Sequence, residues 1–395
     1  MPLKILYLHS SDELYGSDRC LLGLVKSLDK GRFDPLVLLP NDVAYDGLLS
    51  RELASEGIRY RHLGLGVLRR KYLNPVGAIR YGLKLAASSV RVARIVYAEK
   101  VDLIHSNTSA VWGGALAASA MRTRHVWQVR EIVSEPVLLR RLTAWMLERC
   151  ADEVIAVSAA VKAHLCHTLP SLESKVHIVH DGVNVQRFSP ANDRERVRRE
   201  LGVASDEVLL GSVGRLNSWK GQQYLLQATS GILRQRRQVK LAFVGGVFPG
   251  EEDLLTQLRE NAVSLGVGSQ VIIAGWRGDT PDVWAAIDIA VLPSLKPEPF
   301  GMSVLEAMAS AKPVVATAHG GPVEIVRHGV TGLLVPPGDE QALAGAILRL
   351  IDDSGLRSSL GVMGRTLAEG SFCEETATRK IATLYEQIAR HRGIP

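Results

Sequence analysis

The chain has 395 residues, 46% hydrophobic and 22% charged, with a formal net charge of +6; that length accommodates two domains of roughly 150 to 200 residues, each with its own core. The longest nearly unbroken apolar run, 111–121, falls short of the ~20 residues a bilayer crossing needs, and the polar His9-Ser10-Ser11-Asp12 directly behind the apolar run 3–8 excludes a signal peptide pattern. Cys20, Cys150, Cys166 and Cys373 are widely spaced and form no C-x-x-C pair, so reduced thiols and a cytoplasmic location are expected.

Short β-rich apolar runs alternate with helical stretches, the pattern of parallel sheets with crossover helices. In the first half the strands are predicted at 3–8, 35–39, 58–63, 102–105, 124–129 and 153–157. After the Asp181-Gly182 turn and Phe188-Ser189-Pro190 the pattern restarts, at 207–213, 239–244, 270–274, 288–292, 313–316 and 332–335. Two doubly wound α/β domains facing each other across a central cleft follow, with boundaries expected at 1–187 and 188–373. The residues 374–395 are expected to form a terminal helix with an apolar side at Ile381, Leu384, Tyr385 and Ile388. In open α/β sheets ligands sit beyond the carboxyl ends of strands, so the residues just behind each run are the candidates for function.

Behind the first strand, Gly16 offers a backbone that a phosphate or sugar can approach closely. Residues 1–190 hold 25 Lys and Arg against 18 Asp and Glu, and the rest of the chain 22 against 23. The segment 59–94 contains nine basic residues and no acid. Within it Arg80, Lys84, Arg91 and Arg94 recur on one helical face, and Val76, Ile79, Leu83 and Val90 on another. Such a helix can rest on anionic lipid headgroups; a solvated outer face is the alternative, and nucleic acid is not expected because no reader module is matched. Asn107, and Gln128 with Arg130 and Glu131, follow later strands and are candidate acceptor-side groups. His164, Cys166 and His167 lack the second cluster a closed zinc site needs, and no metal is expected.

In the second half, the loop 214–221 delivers the guanidinium of Arg215 and the ammonium of Lys220, suited to a diphosphate without a metal. Gly245-Gly246 and Gly275-Trp276-Arg277 follow the next two strands, and His319-Gly320-Gly321-Pro322 with Glu324 another. Most informative is 298–306, where Glu298 and Glu306 flank a Pro-Phe-Gly turn and the start of an apolar helix. That spacing sets the carboxylates on the order of 10 Å apart. Between them the amides of Phe300, Gly301, Met302 and Ser303 form a positive helix end that attracts phosphate or a sugar hydroxyl.

This stretch and its surroundings resemble the donor-site signature of retaining glycosyltransferases of the GT-B fold, specifically glycosyltransferase family 4. The resemblance implies that Glu298 lies near the donor sugar, that Glu306 holds the ribose hydroxyls, and that Arg215 and Lys220 hold the pyrophosphate. Gly16 would lie against the diphosphate, Gly246 and Arg277 near base and ribose, and the terminal helix would return to the first domain. It also implies hexosyl transfer from a nucleotide diphosphate sugar to a glycan or lipid-linked hydroxyl, with no cofactor beyond that co-substrate. No D-x-D sequence occurs, and catalysis without a divalent ion is expected. Related sequences carry a histidine where Gln128 stands; glutamine there can hydrogen-bond but cannot take a proton. A nucleotide-sugar-binding protein without transfer activity, or an epimerase or phosphorylase of the same architecture, is the alternative.

Overall fold

The computed structural model describes residues 2–248 and 250–390. One compact unit runs from the amino terminus to Gly182 and includes the helix Glu374–Arg390; the other is Val183–Cys373. The chain thus passes between units before the expected 187/188 boundary. At that passage Val183 forms a parallel bridge with Cys373, and its N–H donates to the Phe372 carbonyl at 2.8 Å, which ties residues 183–187 to the second unit. The end of the predicted terminal segment, 391–395, lies outside the described residues.

The first unit is built on β1 (Leu3–Leu8), β2 (Phe33–Pro40), β3 (Arg59–Leu63), β4 (Leu103–Ser106), β5 (Arg124–Val129), β6 (Glu153–Ala156) and β7 (Val176–Ile178), in the order β3-β2-β1-β4-β5-β6-β7. The second holds β8 (Val208–Val213), β9 (Val239–Val244), β10 (Val271–Gly275), β11 (Ile289–Leu292), β12 (Val314–Thr317) and β13 (Leu333–Val335), in the order β10-β9-β8-β11-β12-β13. Neighbouring strands pair in parallel in both sheets, for example Ile5 with Leu103 and Leu210 with Ile289. Central strands are covered by helices on both faces, which is why runs such as Val208–Val213 are largely apolar and buried after the first residue. All the expected strands are present; β7 was not expected, because its Val-His-Ile is broken by a polar residue and two of its three positions are exposed, whereas the equally short β13 is the apolar Leu-Leu-Val. The strand order reverses between β1 and β4 in one sheet and between β8 and β11 in the other, creating a crevice beyond the strand ends at each point.

The helix Glu374–Arg390 buries Ile381, Leu384, Tyr385 and Ile388 in the first unit's core beside Ile5, Tyr7, Leu21 and Phe33. The long helix Pro75–Glu99 departs from expectation. Its inward residues are Gly77, Tyr81, Ser88, Val92 and Val96, whereas Ile79 and Leu83 are 69% and 72% exposed. The predicted apolar face is therefore an outer face shared with Arg80, Arg91 and Arg94, which are also exposed. Lys84 does not join them: its Nζ lies 3.4 Å from the buried Asp42 carboxylate. No helix among the described residues is long and apolar enough to cross a membrane.

Candidate active site at the carboxyl ends of the strands

In the second unit the loops behind β8 and β11 flank the reversal of strand order. The β8 loop is held by main-chain bonds on both sides: Leu216 N–H donates to the Gly246 carbonyl at 2.8 Å, and Leu295 N–H to the Trp219 carbonyl at 2.8 Å. Gly221, in the left-handed region at φ +76°, ends the loop and starts the helix Gln222–Gln235. The loop directs Lys220 into the β11 loop, where its Nζ donates to Glu298 Oε1. The other oxygen of Glu298 accepts from Ser294 Oγ at 2.9 Å. Glu298 is only 6% exposed, a burial that a carboxylate tolerates because a cation and a hydroxyl both satisfy it. Ser294 is fixed in turn: its carbonyl accepts from Thr317 Oγ1 at 2.8 Å and from His319 Nε2 at 3.0 Å.

Gly301, at φ +109°, precedes the helix Met302–Ala309, and no side chain caps that helix. The amides of Met302 and Ser303 open its positive end. Phe300 lies before the cap; its ring is buried and packs against Phe372, with centroids 6.4 Å apart, so it belongs to the core. Glu306 stands inside the helix as expected, where Oε2 accepts from the buried Trp284 Nε1 at 3.1 Å. Arg215 stacks on Phe248, its guanidinium carbon 4.0 Å from the ring centroid. Gly246 is brought to this group through its carbonyl. Arg277 is not: it forks onto Asp279 at 2.9 and 2.6 Å and reaches Glu200 at 2.6 Å. That Arg277 contact, with Arg196 as a further partner, lowers the Asp279 carboxyl to about 2. The side chain expected near base and ribose serves an ion-pair cluster.

The first unit has its own polar group at the strand ends. Asn107 Nδ2 donates to His9 Nδ1 at 3.0 Å, and His9 Nε2 donates to Asp18 Oδ1 at 2.7 Å. Asn107 Oδ1 accepts from Arg130 Nε and Nη2, both at 3.3 Å, while Arg130 Nη1 pairs with Asp181. Burial opposes the Arg130 charge, yet Asp181 raises its pKa above the ordinary value. Glu131 Oε2 accepts from the amides of Ser109 and Arg130 at 3.1 Å each. Asn107 and Arg130 thus hold each other, and Glu131 fixes the main chain beside them. Gly16 is the first residue of the helix Gly16–Ser27, whose start Asp18 fixes by accepting from the Tyr15 amide at 2.9 Å.

Gln128 is fully buried, and its Oε1 accepts from His105 Nε2 at 3.2 Å. His105 Nδ1 accepts from Tyr385 at 2.6 Å, whose oxygen lies 3.0 Å from that of Tyr7. Gln128 Nε2 has no partner among the described residues. His125 points elsewhere, to Ser106 at 2.9 Å and the Cys150 carbonyl at 3.0 Å. Sequence reasoning missed Ser294, Thr317 and Trp284. The buried indole was the available signal, since its N–H requires an acceptor.

Burial lowers His105 to about 3 and His125 to about 4. Both fold neutral, so between those values and the ordinary 6.5 the unfolded chain binds the extra protons. Stability of the first unit is present above about pH 6.5 and lost as pH falls, with a slope of up to about 1.4 kcal/mol per pH unit for each histidine. Denaturant midpoints measured from pH 7.5 to 5 should fall accordingly. A His125→Gln variant should show a shallower slope, and an unchanged slope would contradict the burial argument.

Residues 16–187 match the family model for Glycosyltransferase Family 4, and residues 193–366 that for Glycosyl transferases group 1. An uncharacterized glycosyltransferase of Methanocaldococcus jannaschii is 35% identical over 210 residues, 52% of either chain. The D-inositol 3-phosphate glycosyltransferase of Corynebacterium jeikeium is 37% identical over 262 residues, 64% of this chain and 62% of the relative. The chain therefore spans between about half and under two thirds of these relatives' length. The crystal structure of Anabaena HepE in complex with UDP and glucose superposes with a TM-score of 0.83 at 28% identity, covering 97% of this chain and 99% of that one. The same protein with UDP-glucose gives 0.82 at 28% identity, covering 98% and 100%.

Proposed function

The chain belongs to the family 4 glycosyltransferases and has their GT-B fold, and on that premise we propose that it transfers a hexosyl unit from a nucleotide diphosphate sugar to a hydroxyl of a glycan or lipid-linked acceptor, with retention of configuration. The observation that carries this reading is the contact of Lys220 with the buried Glu298, itself held by Ser294, at the reversal of strand order, beside the start of the helix Met302–Ala309, which no side chain caps. Glu298 positions the sugar and Glu306, steadied by Trp284, accepts the ribose hydroxyls. Arg215, Lys220 and the Met302 and Ser303 amides stabilise charge growing on the diphosphate, where preorganised donors lower a barrier most. The bond from the anomeric carbon to the phosphate oxygen breaks, the acceptor oxygen bonds to that carbon on the same face, and its proton passes to the departing phosphate. This route uses no side-chain base and no divalent ion. It therefore accommodates Gln128, and Asn107 with Arg130 forms the acceptor side.

A thermal-shift panel of UDP, GDP, ADP and their hexose derivatives tests the donor class, because a ligand of the native state adds RT ln(1 + [L]/Kd) to its stability. HepE's complexes with UDP and UDP-glucose put the uridine compounds first. One nucleoside diphosphate is expected to raise the melting temperature; no shift with any of them contradicts the reading. The second reading, donor binding without transfer, is favoured by the burial of Gln128 against His105. Formation of a glycosylated product or slow donor hydrolysis rejects it.

For the location of the reaction, we propose that the exposed Arg80, Arg91 and Arg94 rest on the anionic cytoplasmic face of a membrane. Lys84, committed to Asp42, takes no part. Neutralising the three arginines should reduce flotation with anionic vesicles, and unchanged flotation rejects the contact.

A further inference from the structure

The helix Val137–Cys150 packs Thr143, Ala144, Met146 and Leu147 inward and turns a second apolar line outward. Leu138 is 78% exposed, Leu142 41% and Trp145 49%; their spacing places them on one face. Arg141 and Arg149 are exposed on the same line. Two acids flank this face: Glu148 accepts from Ser171 Oγ at its carboxylate and from Lys175 Nζ at 2.7 Å at its carbonyl, and the exposed Glu135 before the helix accepts from the Val137 amide at 3.0 Å. This helix and Pro75–Glu99 both contact the helix Gly113–Met121, so the two exposed apolar and basic faces belong to one helical layer on one side of the first sheet.

We infer that Leu138, Leu142 and Trp145 enter the interfacial zone of a bilayer containing anionic lipid, and that Arg141 and Arg149 bind its headgroups. The inference rests on the membrane contact proposed for Pro75–Glu99 and is independent of the transfer chemistry. Tryptophan is favoured at the headgroup level, and arginine reaches phosphate while its stem lies along apolar surface. A second copy of the chain fits less well. A twofold interface brings the same patch against itself, which gathers Arg141 and Arg149 of both helices in one place.

Partition onto phosphatidylcholine vesicles, with and without phosphatidylglycerol, tests this. The Leu138→Ser/Trp145→Ser variant changes only exposed positions, and its melting curve checks that it folds. Its partition onto the mixed vesicles should drop roughly tenfold or more. Arg141→Gln/Arg149→Gln should lower binding by about fivefold per arginine on mixed vesicles only. Wild-type partition by the Leu138/Trp145 variant overturns the inference. If neutralising Arg80, Arg91 and Arg94 still abolishes binding, the parent contact survives without it. Absence of wild-type binding rejects both. Self-association in sedimentation that this variant abolishes, with partition unchanged, assigns the face to a second copy and overturns the proposal. Thermal shifts by nucleoside diphosphates should be the same in all these variants, which separates this test from the donor-site reading.

Discussion

Replacing Lys220 with alanine should lower kcat by roughly 100-fold to 1,000-fold, the usual loss when one preorganised electrostatic stabiliser is removed from a reacting centre, and leave a folded chain. Lys220 touches Glu298, so on the proposed reading its loss both removes a partner for the departing diphosphate and leaves a carboxylate only 6% exposed with Ser294 as its hydroxyl donor. Glu298→Gln keeps the shape and removes the charge, which relieves that second penalty. The double variant should therefore fall by less than the product of the two single losses, because the residues act as one unit. Steady-state turnover with donor and acceptor, alongside melting curves, gives the comparison. A Lys220→Ala enzyme with wild-type turnover removes the diphosphate assignment.

Gly320→Ala should disable the site from behind. Gly320 has φ +73°, and a Cβ there would meet the Glu298 carbonyl oxygen at 2.2 Å and its nitrogen at 2.6 Å. These are main-chain atoms, paired to the turn by the 298/320 bridge and by the Gly321 N–H donating to the Glu298 carbonyl at 2.8 Å. Accommodating a methyl group thus displaces Glu298 itself. Gly329 supplies the control, with φ +74° and open space around a Cβ. Gly329→Ala incurs only the left-handed conformation, about 1–2 kcal/mol, or roughly 2–8 °C at 2–4 °C per kcal/mol for a unit of this size. Gly320→Ala should melt lower than that control and lose transfer even where it remains folded. Equal melting temperatures and equal activities for the two variants would show that the contact has no such consequence.

The sheets were legible because central parallel strands are buried on both faces and read as largely apolar runs; β7, Val-His-Ile at an edge with two exposed positions, had no such run. The long helix was legible as a helix but not in its orientation. Val76, Ile79, Leu83 and Val90 repeat as a core stripe would, yet Tyr81, Val92 and Val96 are the residues that are buried. Periodicity gives the faces of a helix, and only packing decides which is inside. Within the site, Glu298, Glu306 and the helix start could be read from one short segment. The contact between Lys220 and Glu298 joins residues 78 positions apart, a separation no local pattern encodes. Arg277, Arg130 and Glu131 were legible as charged residues behind strands, but their internal partners Asp279, Asp181 and Ser109 were not.

The most direct measurement is calorimetric titration of the nucleoside diphosphate that gives the largest thermal shift, set against its own nucleoside, into the wild type and an Arg215→Ala/Lys220→Ala variant. The wild type should bind the diphosphate roughly tenfold or more tightly than the nucleoside, as charge-assisted bonds to two cations require, and the variant should bind the two nearly alike. An undiminished preference for the diphosphate in the variant would place the phosphates elsewhere and contradict the site described.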